Sequence, residues 1–261
     1  MSDSRPVTIN LNEQFPHLNR APIVEAIIDL RAPAETDWNE SVVTDFIKAH
    51  LPDYPKRLSM TGFQQQFVLG PNTPAQTTQT DTGWAGLHCQ SEDGLHVARF
   101  ERQGFFFSRL RSYDRWEQLV AEAMRLWNFF TEVARPSQVQ RIGVRFVNRI
   151  ELHSAAVRID DYLDPTPLGA RDLDIPFQQF FHQDTFDVPG HPYGVRLIRA
   201  TQPIVGGPDQ SVGIIVDSDV FTTTPDDPDT ESIQRRLVEM RWLKNKMFFG
   251  TVTSKALEAF Q

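Results

Sequence analysis

Apolar and polar residues alternate over 22–31 (PIVEAIIDLR). This pattern predicts a strand with Val24, Ala26, Ile28 and Leu30 on one face and Glu25, Ile27, Asp29 and Arg31 on the other. Over 37–50 the period becomes helical, with Val42, Val43, Phe46 and Ile47 in register, and Pro52 and Pro55 end the element. A second strand is predicted over 57–69, up to Gly70-Pro71. The Thr- and Gln-rich run 71–82 has no apolar period and reads as a loop. Short strands at 83–90, 94–102 and 104–111, joined by Glu92-Asp93-Gly94 and Gln103-Gly104 turns, predict an antiparallel meander.

Asp114 and Glu117 form a capping-box-like start, with Asp114 as the N-cap of a helix reaching Ala134. Trp116, Leu119, Val120, Ala123, Leu126, Trp127 and Phe130 give that helix a wide apolar stripe, and Arg135-Pro136 stops it. The strongest strand spans 139–152. Ile142, Val144, Phe146, Ile150 and Leu152 share one face, and Arg141, Arg145 and Arg149 share the other, with Gly143 and Val147 between them. A short helix over 158–163, strands at 174–186, 193–202 and 210–219, and a helix over 230–248 complete the pattern. Ser254 is the expected cap of a last helix to Phe260.

These elements predict an irregular leader (1–20) and a single α+β unit (21–261), a largely antiparallel sheet backed by two long helices. The order also divides into two similar strand-helix-meander-helix halves, 21–135 and 138–261, which paired edge to edge would form one curved sheet. A chain of 261 residues buries roughly three-quarters of its unfolded surface, so its core needs no metal, disulfide or cofactor.

Composition narrows the class. No run of about 18 uncharged apolar residues is present to span a membrane, and 1–20 lacks the apolar core of a secretory signal, so the cytoplasm is the expected compartment. The single Cys89 excludes an intramolecular disulfide and a multi-thiolate zinc site. The net charge of −8 conceals an uneven layout. Residues 1–95 carry −6, 96–149 carry +5 with ten Arg and no Lys, 150–232 carry −11, and 233–261 carry +4. An arginine fork suits carboxylates and phosphates, so the 96–149 segment either binds an anion or pairs with the acidic segments inside the fold.

No phosphate-binding loop, dinucleotide fingerprint, nucleophile elbow or HExxH motif occurs. His182, Asp184 and His191 are the weak metal candidates, with Asp187 nearby, but their spacing fits no ligand pattern closely, so no metal is expected. His88 and Cys89 are adjacent on a strand and point to opposite faces, which argues for an inert buried thiol. Glu25 and Asp29 lie about 13 Å apart by strand rise, too far for an acid/base pair. Phe105 and Phe107 share a face with Arg109 and Arg111, a pattern that either stacks nucleic-acid bases or packs on the 114–134 helix.

Three segments carry a resemblance: APIVEAIIDLR (21–31), RIGVRFVNRI (141–150) and LKNKMFF (243–249). In this order they resemble the opening, central strand and closing helix of a sporadically distributed bacterial protein family of similar length and uncharacterised function. The resemblance spans roughly 20 to 260. It implies one unit and carries over no activity, substrate or catalytic residue.

The leading expectation is a non-enzymatic binding protein with a protein partner. It would use a charged sheet face built from Glu25, Asp29, Arg31, Arg141, Arg145 and Arg149, with Asn148 beside them and Asp217 and Asp219 as further members. The alternative is a nucleic-acid or nucleotide binder using Arg99, Arg109, Arg111 and the Arg141–Arg149 row, which the net negative charge disfavours. An enzyme whose site is assembled from distant residues comes third. No cofactor is expected. The apolar run 240–249 suits either a core or self-association into a homo-oligomer.

Overall fold

Ala26, Ile28 and Leu30 are fully buried, and this burial places the strand β1(Ile23–Arg31) at the centre of the sheet with its alternate side chains facing away from the core. In the computed structural model of the protein, residues 5–70, 73–111, 113, 115–152, 158–165, 179–203 and 212–261 are described. The elements that follow are α1(Glu40–His50), β2(Lys56–Gly70), β3(Thr73–Gln90), β4(His96–Glu101), β5(Gly104–Leu110), α2(Trp116–Ala134) and β6(Arg141–Leu152). After a 3-10 turn at Ile159–Asp161 come β7(Phe181–Asp187), β8(Gly194–Pro203), β9(Val212–Thr222), α3(Thr230–Thr251) and α4(Ser254–Glu258).

All nine strands join one sheet in the order β2-β3-β4-β5-β1-β6-β9-β8-β7. Every neighbouring pair is antiparallel. The fold is α+β, with α1, α2 and α3 packed on one face. Ile28 sits between Phe107 and Val144 in register, and these side chains meet Trp127 and Phe130 of α2 and Val43 and Ile47 of α1 in one buried cluster. A second cluster on the same face joins Ile150, Ile214 and Leu197 to Phe248, Val252 and Ala256 around α3 and α4. Among the described residues no helix covers the opposite face, and no helix is long and apolar enough to cross a membrane.

Several boundaries differ from the sequence expectation, each for a local reason. The part of the expected loop from Thr73 to Thr82 is instead β3, paired with β2 out to Gly70↔Thr73, and residues 71 and 72 lie outside the described residues. That pairing rests on backbone hydrogen bonds, which leave no mark in a hydrophobic pattern. The first helix starts at Glu40 because Asn39, not Asp37, accepts the Val42 N–H (3.1 Å). The N-cap of α2 is Arg115, whose side chain makes no cap, and Asp114 lies outside the described residues. Thr253 caps α4, its hydroxyl accepting the Ala256 N–H (3.2 Å), and Ser254 is the first helical residue. The strand expected over 174–186 begins at Phe181, and 174–178 lie outside the described residues.

The leader contains no helix or strand over 5–22, yet it is tied down. Val7 N–H donates to Pro189 O (2.9 Å), Arg20 N–H donates to Phe260 O (2.9 Å), and Phe15 stacks on Phe249 of α3 at 5.6 Å.

Candidate functional site

The helix-free face carries a cross-strand row of ion pairs. From β4 it runs Arg99 to Glu101 (3.6 Å), Glu101 to Arg31 (3.6 Å) and Arg31 to Asp29 (3.3 Å). Asp29 pairs with Arg141, which reaches Asp219 (3.1 Å), and Asp219 meets Arg196 of β8 (3.8 Å). Glycines keep the row continuous. Gly104 lies in register between Glu101 and Arg31, so no side chain separates that pair. At Gly143 a Cβ would stand 2.5 Å from the Arg141 guanidinium, so its absence leaves room for Arg141 to lie across the sheet over Phe221.

Beside the row, Arg145 makes a forked contact with Asp217 (Nε–Oδ1 2.9 Å, Nη2–Oδ2 2.5 Å). Asp217 raises the guanidinium's proton affinity further, while burial pushes the Asp219 carboxyl up against the pull of Arg141, Arg196 and Arg145. Arg149 pairs with Glu151 (2.8 Å), which Arg111 also approaches (3.6 Å). Glu25 accepts from the Ser108 hydroxyl (2.5 Å). The Arg-rich and acidic segments therefore answer one another on this face, strand against strand.

Two predicted members fall elsewhere. Asn148 lies on the helix side of β6 and is buried, its Nδ2 donating to Val216 O (3.0 Å), because an even position on this strand cannot share a face with the odd-numbered arginines. Arg109 faces the helix side too, against His96 (3.1 Å) and Asp93 (4.0 Å). Phe105 and Phe107 share that face and are 1% and 0% exposed, so they pack against α2 and are closed to a stacked base. Arg99 instead lies over Phe106 at 3.8 Å, on the open face.

The metal candidates do not converge. Asp184 is held by Arg199 (2.8 Å), and His191 reaches Val7 O (2.8 Å) through Nε2. Among the described residues no group of three or more His, Cys, Asp or Glu could hold a metal. Cys89 is fully buried on the helix side, where burial pushes its thiol up to about 12, while His88 is on the open face.

One site left no sequence signal. A cavity of about 610 Å³ lies between residues 11–23, the start of α2 and the outer turns of α3, with Phe146 and Asn148 of β6 as its floor. Lys244 projects from α3 with its ammonium 3.9 Å above the Phe146 ring. It has no hydrogen-bond or ion-pair partner among the described residues. Burial first, and then Arg241, hold this ammonium down to about 7. Both carboxylates at the cavity are engaged: Glu117 takes Arg241 (3.1 Å), and Glu13 takes Lys246 (2.6 Å) and the Trp242 Nε1–H (2.9 Å).

No family model, curated protein or solved structure matches the chain.

Proposed function

We propose that the chain is a non-enzymatic binding protein that engages a protein partner through the helix-free face of its sheet. The observation that carries this reading is the ion-pair row itself. Arginines answered by carboxylates at every step present alternating signs, which match the mixed charge of a protein surface. A polyanion would meet as many carboxylates as guanidinia there. Half-buried apolar side chains between the charges, Phe106, Ile198 and Phe221, add the area a protein interface needs. In this reading the sheet is two similar halves meeting at β1 and β6, and the row crosses that joint.

The test uses Arg196, whose side chain is 45% exposed and whose pair with Asp219 is long, so that reversing its charge spares the fold. Affinity capture from native cells, followed by titration of the purified partner, should show Arg196→Glu weakening binding tenfold or more. Lys255→Glu, on α4 behind the sheet, should leave binding unchanged. Equal binding by all three proteins would overturn the reading.

A further inference from the structure

The cavity beside α3 is on the opposite side of the sheet from the ion-pair row and has a different chemistry. We propose that it binds a small aromatic carboxylate, with the Lys244 ammonium as counter-ion to the carboxylate and the aromatic walls receiving the ring.

The volume of about 610 Å³ lies within the range of small-molecule sites, roughly 300–1,000 Å³. Its walls are aromatic, contributed by Phe15, Trp116, Phe146, Trp242 and Phe249. Several rings are fixed in place, which lowers the ordering cost of binding. Trp242 donates its N–H to Glu13, Phe15 stacks on Phe249, and Tyr113 meets Phe146 edge-on at 5.2 Å. Asn148 and Asn245 supply amide groups at the boundary.

Charge selects the anion. The titratable groups that line the cavity with Lys244 are Glu13 and His17 from the N-terminal segment, Arg115 and Glu117 from the start of α2, and Arg241 from its own helix; β6 contributes no charge. Both carboxylates are occupied by other cations, as described above. An incoming carboxylate therefore finds the Lys244 ammonium, unpaired with either carboxylate, above the Phe146 ring in an aromatic-lined cavity. A monoanion neutralises that charge, whereas a dianion such as phosphate adds a second negative charge next to Glu13 and Glu117. A bound carboxylate also favours the protonated lysine, so binding near pH 7.5 draws a proton from the buffer onto Nζ.

The probes are phenylacetate and indole-3-acetate, their neutral amides, and inorganic phosphate, titrated calorimetrically into the full chain in two buffers of different ionisation enthalpy. The expected result is binding of the acids, binding of the amides at least tenfold weaker, and none of phosphate. The acids should also quench tryptophan fluorescence and show buffer-dependent heat reporting net proton uptake. Lys244→Met should weaken acid binding at least tenfold. Lys244→Arg, which keeps a charge with no neutral form at this pH, should bind within about threefold of the parent without proton uptake. Equal affinity for acids and amides, preference for phosphate, no binding of either acid, or proton uptake undiminished in Lys244→Arg would each overturn the proposal. The Arg variant decides the case even if the Met variant misfolds. Because the sheet-face proposal is read by partner capture, failure of either leaves the other standing.

Discussion

Arg145 and Asp217 show at single-residue scale what the open face costs and returns. Asp217 is only 5% exposed and is bonded by the guanidinium fork, whereas Arg145 keeps much of its own contact with water. Removing one partner of a buried pair leaves the other desolvated and unanswered. Arg145→Ala is therefore expected to destabilise the fold by roughly 2–3 kcal/mol in urea unfolding, discounted for the exposed arginine. The double variant Arg145→Leu/Asp217→Leu should recover most of the loss. Because the row is a chain of shared partners, energies along it will not be additive. The arginine side of this arrangement was legible in the sequence, since a period of two puts Arg141, Arg145 and Arg149 on one face. Asn148 was misplaced by proximity in sequence, and the same alternation explains why.

At the scale of elements, residues 5–22 form no helix or strand of their own and borrow their order from α3. Glu13 is the anchor, accepting from Trp242 and Lys246, and these contacts hold its carboxyl below the usual carboxylate range, the Lys246 hydrogen bond foremost. A carboxyl depressed in the folded state contributes stability above its unfolded value, and that contribution is lost as pH falls through the folded one. Acidification below about pH 4 should therefore release the segment from α3 before global unfolding. Trp242 fluorescence should change first, and Glu13→Gln should show that change already at neutral pH. Elements with strong apolar periodicity, such as β6 and α2, were readable to within a few residues. The outer part of β3 was not, because Thr and Gln carry no face preference and the partner strand alone organises them.

For the whole molecule, Lys244 sets a pH dependence that opposes the usual acid-loss pattern. Its folded value of about 7 lies below the ordinary lysine value of 10.5, so between these limits the unfolded chain holds a proton that the folded chain does not. Stability from this group therefore rises with pH across 7 to 10.5, and the full cost is present below 7. Lys244→Met removes the cost. The variant should exceed the parent by on the order of 2–4 kcal/mol at pH 7, with the gap closing towards pH 10. Parallel urea titrations of the two proteins measure it, and a gap independent of pH would place the ammonium in water.

The sequence by itself determined the α+β class, the alternation of faces in the central strands and the arginine row, because all three follow from local periodicity. It also contained Asp217 and Asp219 as members of that face, although not their partners. Only the tertiary structure decided that α1, α2 and α3 pack on one side, that the arginines of β6 are answered by carboxylates from β1 and β9, and that Lys244 stands over Phe146 in a cavity. Those facts depend on side chains from segments more than 70 residues apart meeting at a common place. A one-dimensional pattern fixes which way a residue faces; strand order and helix docking decide what it faces.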